Sequence, residues 1–166
     1  MVREAVFSAL GSRDAIVDAS VLDLYAGSGA LGIEALSRGA ARAVFVEFDR
    51  AAASTVADNL ERCGFSDRSR VVRGGVEAFL RAPAPGEAPF TLVFLDPPYA
   101  VPDPDVDAVV RLLVGAEMLA LDTTIVVERP VGATITAPSD LVGAWERSFG
   151  DTLVFFLVRE ESSSVR

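Results

Sequence analysis

Short apolar runs recur along the chain, and between them apolar residues return at the three-to-four-residue spacing of a helix face. The runs at residues 21–25, 43–48, 70–73, 91–95 and 124–128 predict strands. Residues 31–38 and 51–63, rich in Ala, predict helices, and 76–81 and 106–114 predict two shorter ones. Strands alternating with helices in this way form a parallel sheet covered on both faces. Residues 82–89 carry too much proline for an element and read as a surface loop.

The pattern changes near the end. Residues 144–149 and 153–159 are strand-like and are joined by Gly150-Asp151, a dipeptide suited to a tight reversal, so an antiparallel hairpin is expected to close the sheet. One domain is expected over residues 1–160, with a frayed tail over 161–166. Met1-Val2-Arg3-Glu4 opens as a short amphipathic helix, without the basic head and apolar middle of a signal peptide.

Composition narrows the chemistry. With 166 residues, 51% of them hydrophobic, the chain can bury a core of its own. No stretch reaches the roughly 18 uncharged apolar residues of a membrane span, because Arg111 and Glu117 interrupt the longest candidate. A cytoplasmic monomer is expected. The single cysteine, Cys63, has no partner for a disulfide or a zinc site, and there is no histidine. Ser-His-Asp and Cys-His mechanisms are excluded, and no metal is expected. The net charge of −9 argues against sequence-independent binding to a phosphate backbone. Asp103, Asp105 and Asp107 form an acidic cluster and Arg68, Arg70 and Arg73 a basic one; both read as solvated surface.

The run from Val21 to Gly32 is a strand entering a glycine turn and then a helix. Gly27 and Gly29 let the backbone turn and approach a ligand, and Gly32 lets the helix lie close to the strand. Tyr25, Ala26 and Ser28 complete the turn. Glu47 ends the second strand twenty residues after Gly27, where a carboxylate can accept ribose hydroxyls. Phe48 follows it, and Asp49 is the alternative ribose ligand. A nicotinamide dinucleotide and S-adenosylmethionine both fit this arrangement. Asp23 favours the second, because a carboxylate there suits an ammonium and a sulfonium better than a pyrophosphate.

Asp96-Pro97-Pro98-Tyr99 follows the apolar strand directly. Ligands of open α/β sheets bind at the carboxyl ends of the strands, so this loop should share a crevice with the glycine turn. The prolines stiffen it and, having no N–H, leave carbonyl acceptors free. An amine on an aromatic ring shares its lone pair with the ring and is a poor nucleophile. The Asp96 carboxylate and the Pro97 carbonyl, accepting its protons, would return electron density to the nitrogen, with Pro98 shaping the loop and Tyr99 stacked on the base. Placement against an already electrophilic methyl group then suffices, and no histidine is needed.

Together these residues resemble the bacterial small-subunit ribosomal RNA guanine-N2 methyltransferases of the RsmD type. The match includes Val2-Arg3-Glu4-Ala5-Val6-Phe7, the block from Leu22 to Gly39, Asp96-Pro97-Pro98-Tyr99 and Gly150-Asp151-Thr152. The resemblance implies a Rossmann-like class I methyltransferase fold, α/β with a seven-stranded, mostly parallel sheet. It also implies S-adenosylmethionine as donor, with S-adenosylhomocysteine as product, and a guanine amine of 16S ribosomal RNA as acceptor, free or within a small-subunit assembly particle. Where the family usually has Asp or Asn followed by Ala after the third strand as an adenine contact, this chain has Gly75-Val76, so the resemblance implies no side-chain contact to the adenine amine and leaves the backbone N–H near Val76 to serve the cofactor ring. Family members also carry a basic arm before the Arg-Glu helix, inside which this chain begins. The expectation is a chain that holds the chemistry and lacks part of the grip on RNA.

Other readings stay open on the residues alone. Similar loops occur in DNA adenine-N6 and protein glutamine-N5 methyltransferases, whose acceptors are also planar nitrogens. An NAD-dependent oxidoreductase would explain Gly27 and Glu47 but leaves the Asp96 loop without a role. A non-catalytic cofactor-binding module is the remaining alternative.

Overall fold

The computed structural model describes residues 2–82 and 86–159. Thirteen elements follow one another: α1 (Val2–Ser12), β1 (Ser20–Leu24), α2 (Ala30–Ser37), β2 (Arg42–Glu47), α3 (Arg50–Cys63), a 3-10 turn (Ser66–Arg68), β3 (Ser69–Arg73), α4 (Val76–Arg81), β4 (Phe90–Leu95), α5 (Asp103–Gly115), β5 (Leu119–Pro130), β6 (Leu141–Phe149) and β7 (Thr152–Arg159).

The strands form one seven-stranded sheet in the order β3-β2-β1-β4-β5-β7-β6. β1 through β5 are parallel, and β7 pairs antiparallel with both β5 and β6. The chain works outward from β1 to β3, then returns to add β4 on the other side of β1. That reversal opens a crevice beyond the carboxyl ends of β1 and β4. This is the Rossmann-like class I sheet that the resemblance implies, with the antiparallel hairpin at its edge.

Side chains alternate between two cores. Leu22, Leu24, Val93 and Val127 pack against Val76, Leu80, Val109 and Leu113 of α4 and α5. Val21, Phe45, Phe94 and Val126 pack on the opposite face against Phe7, Leu36 and Val56 of α1, α2 and α3. Phe7 meets Phe94 at 5.7 Å between ring centroids, anchoring α1 beneath the crevice.

Several boundaries differ from the pattern reading. α1 continues to Ser12, well past the opening residues, because Val6, Phe7 and Leu10 form its buried stripe. α5 begins at Asp103, with a proline in its first turn where the missing N–H costs nothing. β5 begins at Leu119, since Phe90 pairs with Leu119 across an irregularity before regular pairing resumes at Leu92 and Thr124. The acidic cluster is a solvated run only at Asp105, which is exposed. Asp103 accepts the Thr134 N–H at 3.1 Å and Asp107 the Thr136 N–H at 2.9 Å, so both staple the β5–β6 connection to α5. In the basic cluster, Arg68 donates to the Ala40 carbonyl and Arg70 pairs with Glu87. The centre of the expected 82–89 loop and the expected tail at 161–166 lie outside the described residues. No helix among the described residues is long and apolar enough to cross a membrane.

Candidate active site

At the end of β1 the backbone enters the left-handed region three times, at Tyr25 (φ 59°), Gly27 (φ 59°) and Gly29 (φ 82°). Glycine adopts this freely, whereas at Tyr25 it costs roughly 1–2 kcal/mol. Gly32 serves a different purpose. A Cβ there would stand 2.8 Å from the Phe45 Cζ and 3.1 Å from an Asp23 oxygen, so its absence lets α2 sit directly on the sheet.

Asp23 lies under that contact, 1% exposed, and its Oδ2 accepts the Gly32 N–H at 3.0 Å. Burial pushes its carboxyl up to about 8; the Gly32 N–H opposes this, and the charges of Asp96 and Glu47 add to it. Asp23 thus ties the turn to the helix from beneath.

Glu47 faces the turn from β2. One oxygen accepts the Gly27 N–H at 2.8 Å and the other the Asp49 N–H at 2.7 Å. Each carboxylate oxygen has a second lone pair to offer. Asp49 is the N-cap of α3 and accepts the Ala52 N–H at 2.8 Å. Between them the Phe48 ring is 78% exposed, an apolar face left open beside two carboxylates.

Asp96 stands at the end of β4. Burial, reinforced by the Glu128 charge and opposed by the Arg129 charge, pushes its carboxyl up to about 7. The loop that follows is held from below by Arg129, only 2% exposed, which donates to the carbonyls of Pro98 and Val101 and to Asp103. The Pro98 carbonyl also accepts the Val101 N–H at 3.0 Å, whereas no hydrogen bond reaches the Pro97 carbonyl among the described residues. Tyr99 is 50% exposed, and its hydroxyl lies 2.9 Å from the Thr152 hydroxyl at the start of β7. The hairpin therefore steadies the ring.

A cleft of about 760 Å³ joins these pieces. Of the residues singled out from the sequence, Tyr25, Gly27, Glu47, Phe48, Gly75, Val76 and the whole Asp96-Pro97-Pro98-Tyr99 loop line it. Asp49, Glu77 and Val101 line it too. Asp23, Ala26, Ser28 and Gly29 do not; they shape the turn from within. Ala26 donates to the Val46 carbonyl, Gly29 donates to the Ala26 carbonyl, and the Ser28 carbonyl accepts from Asn59.

Pattern reading missed Arg129, Glu128 and Thr152. The available signal was the pair of charges Glu128-Arg129 closing an apolar strand, since a charge in that position needs either solvent or a partner.

A family model described as conserved hypothetical protein 95 matches residues 1–158. The chain belongs to that family. The Bacillus subtilis family relative YlbH is 38% identical over 153 residues, 91% of this chain and 80% of its own length. Ribosomal RNA small subunit methyltransferase D of Escherichia coli is 45% identical over 98 residues, which are 59% of this chain and 46% of that protein. The yhhF structure from Escherichia coli superposes with a TM-score of 0.87 at 35% identity, covering 97% of this chain and 87% of that one. The RsmD-type resemblance is borne out by these relatives. An RNA methyltransferase from Salinibacter ruber, in complex with S-adenosyl-L-homocysteine, shares the fold at a TM-score of 0.68 and 20% identity.

Proposed function

We propose that this protein transfers a methyl group from S-adenosylmethionine to the exocyclic N2 amine of a guanine in small-subunit ribosomal RNA. One observation carries the reading: the Asp96 loop and the Gly27–Glu47 pair line the same cleft. A donor-binding turn without an acceptor loop would suit a dinucleotide equally well, and the shared cleft supplies the acceptor loop. The guanine and the RNA come from the family resemblance and from the relative named as small-subunit methyltransferase D.

The cleft suits the donor. Glu47 keeps lone pairs for ribose hydroxyls while its two contacts fix the carboxylate in place, and Asp49 is engaged in capping α3. A nucleoside base laid against Phe48 would cover the exposed ring, and the Gly75–Val76 backbone stands across the cleft for its polar edge. Bound S-adenosylmethionine supplies a methyl group on a positively charged sulfur.

Asp96 and the Pro97 carbonyl do the rest by position. They accept the protons of the amine and turn its lone pair toward the methyl carbon. The C–N bond forms as the C–S bond breaks, and the proton released from the product leaves through Asp96. Tyr99, fixed by Thr152, offers its ring as a stacking face at the mouth of the cleft.

Calorimetric titration of the protein with S-adenosylmethionine and with NAD tests the donor. Binding of the first and none of the second is expected. Tritiated methyl transfer to 16S ribosomal RNA then tests the acceptor, and a protein that binds NAD alone, or binds the donor and labels no RNA, contradicts the proposal.

A further inference from the structure

A second, smaller pocket of about 140 Å³ lies on the far side of Asp96, between α1 and the ends of β4 and β5. Val2, Val6, Leu31 and Val126 give it apolar walls, Arg3 stands at its exposed edge, and Asp96 and Glu128 supply its acceptors. Asp96 therefore lines both cavities. A space of this size takes one six-membered ring, since a cavity of roughly 150 Å³ accepts benzene, so it receives one edge of a base and leaves a fused second ring outside.

The two carboxylates are neighbours by register. Leu95 pairs with Val127 in the parallel ladder, so Asp96 and Glu128 come next on adjacent strands, whose backbones run about 4.7–4.9 Å apart. Phe94 and Val126, two residues earlier on each strand, point into the α1 core, and the carboxylates share that face. Glu128 is half-buried, and burial holds its carboxyl above the ordinary range, with no donor among the described residues offsetting it. A desolvated acceptor without a donor is costly, and a ligand N–H would relieve it.

Two adjacent acceptors in a slot one ring wide fit a base that presents two adjacent N–H donors along one edge. Guanine does so with N1–H beside its N2 amine. Adenine places an acceptor, N1, beside its amine and would set that lone pair against the Glu128 carboxylate. Resting on the methyl-transfer reading above, we propose that Glu128 is a specificity-determining residue that accepts the guanine N1–H in this pocket while Asp96 holds the N2 amine toward the donor cleft. The pocket thus takes the N1–N2 edge of the acceptor base while the rest of the base lies over the Asp96 loop, where Tyr99 offers its stacking face, and the carboxylate pair selects guanine over adenine.

The test uses 16S RNA carrying either guanine or 2-aminopurine at the methylated position. 2-Aminopurine keeps the amine and converts N1 from donor to acceptor. Wild-type protein is expected to favour guanine by about 10- to 100-fold in kcat/KM. Glu128→Gln, whose amide can donate to that acceptor, is expected to bring the two substrates toward parity with donor affinity unchanged. Val2→Trp, filling the mouth of the pocket, is expected to abolish transfer while donor binding persists. An unchanged guanine preference in Glu128→Gln overturns the inference, as does a tenfold loss of donor affinity in either variant, which would give the pocket to the donor instead. A wild-type protein that leaves guanine unmodified fails the methyl-transfer reading itself.

Discussion

Arg129 donates a 3.3 Å hydrogen bond to the Pro98 carbonyl from a position 2% exposed to solvent. The same guanidinium reaches Val101 and Asp103, so a buried cation on β5 sets the shape of a loop more than twenty-five residues earlier in the chain. Lysine offers no planar fork to reach these separate acceptors. Arg129→Lys and Arg129→Met are both expected to lower unfolding free energy by about 1–3 kcal/mol, the cost of losing buried hydrogen bonds. Amide exchange at Tyr99 to Val101 should also quicken. Protection equal to wild type would remove the holding role.

Asp96 has its carboxyl pushed up to about 7, chiefly by burial. If the ionised form accepts the protons of the amine, methyl transfer should fall about tenfold per pH unit below that value and level off above it. Asp96→Ala should abolish transfer. Asp96→Asn keeps one carbonyl acceptor and has no proton to lose, so it should retain reduced activity that no longer varies between pH 5.5 and 8 (about the range a single ionisation would span). A pH–rate profile of the asparagine variant matching wild type would assign the titration elsewhere.

Glu47→Ala removes both a candidate ribose acceptor and the brace on the Gly27 N–H. Donor affinity is expected to weaken by the worth of a charged hydrogen bond, about 1.5–3 kcal/mol, or roughly 10- to 150-fold. Unchanged affinity by calorimetry would shift the role to Asp49.

Asp23 links the site to stability. Its carboxyl has an ordinary value of 3.8 and is pushed up to about 8 in the folded protein, so the native state binds this proton more tightly than the unfolded chain does. Stability from this group is complete below pH ~4 and is lost as pH rises through about 8. Asp23→Asn keeps an acceptor for the Gly32 N–H and nothing to ionise. Urea midpoints measured at pH 5 and pH 8.5 should show a smaller drop in the variant (roughly bracketing that window); parallel drops would contradict the assignment.

Much of this architecture was legible in the sequence because the physical causes are local. A buried parallel strand must be apolar almost throughout, and the Val21, Ala43 and Thr91 runs are. Gly27 and Gly29 stand where the backbone needs positive φ. The first half of β5 was hidden because Leu121, 86% exposed, and Asp122 break the apolar run, and only pairing across the Phe90 irregularity makes it a strand. Arg129 was hidden for a related reason: its partners are 26 to 31 residues away and are mostly backbone carbonyls, which no side-chain pattern announces. Asp23 reads toward the ammonium and sulfonium of a ligand, and the structure adds its contact to the Gly32 N–H, which depends on how closely α2 approaches the sheet.

The most direct measurement is the identity of the modified nucleoside. Small-subunit RNA incubated with the protein and labelled S-adenosylmethionine, digested and resolved by mass spectrometry, should yield N2-methylguanosine, and Asp96→Ala should yield none. Label in N6-methyladenosine, or in protein alone, would contradict the account.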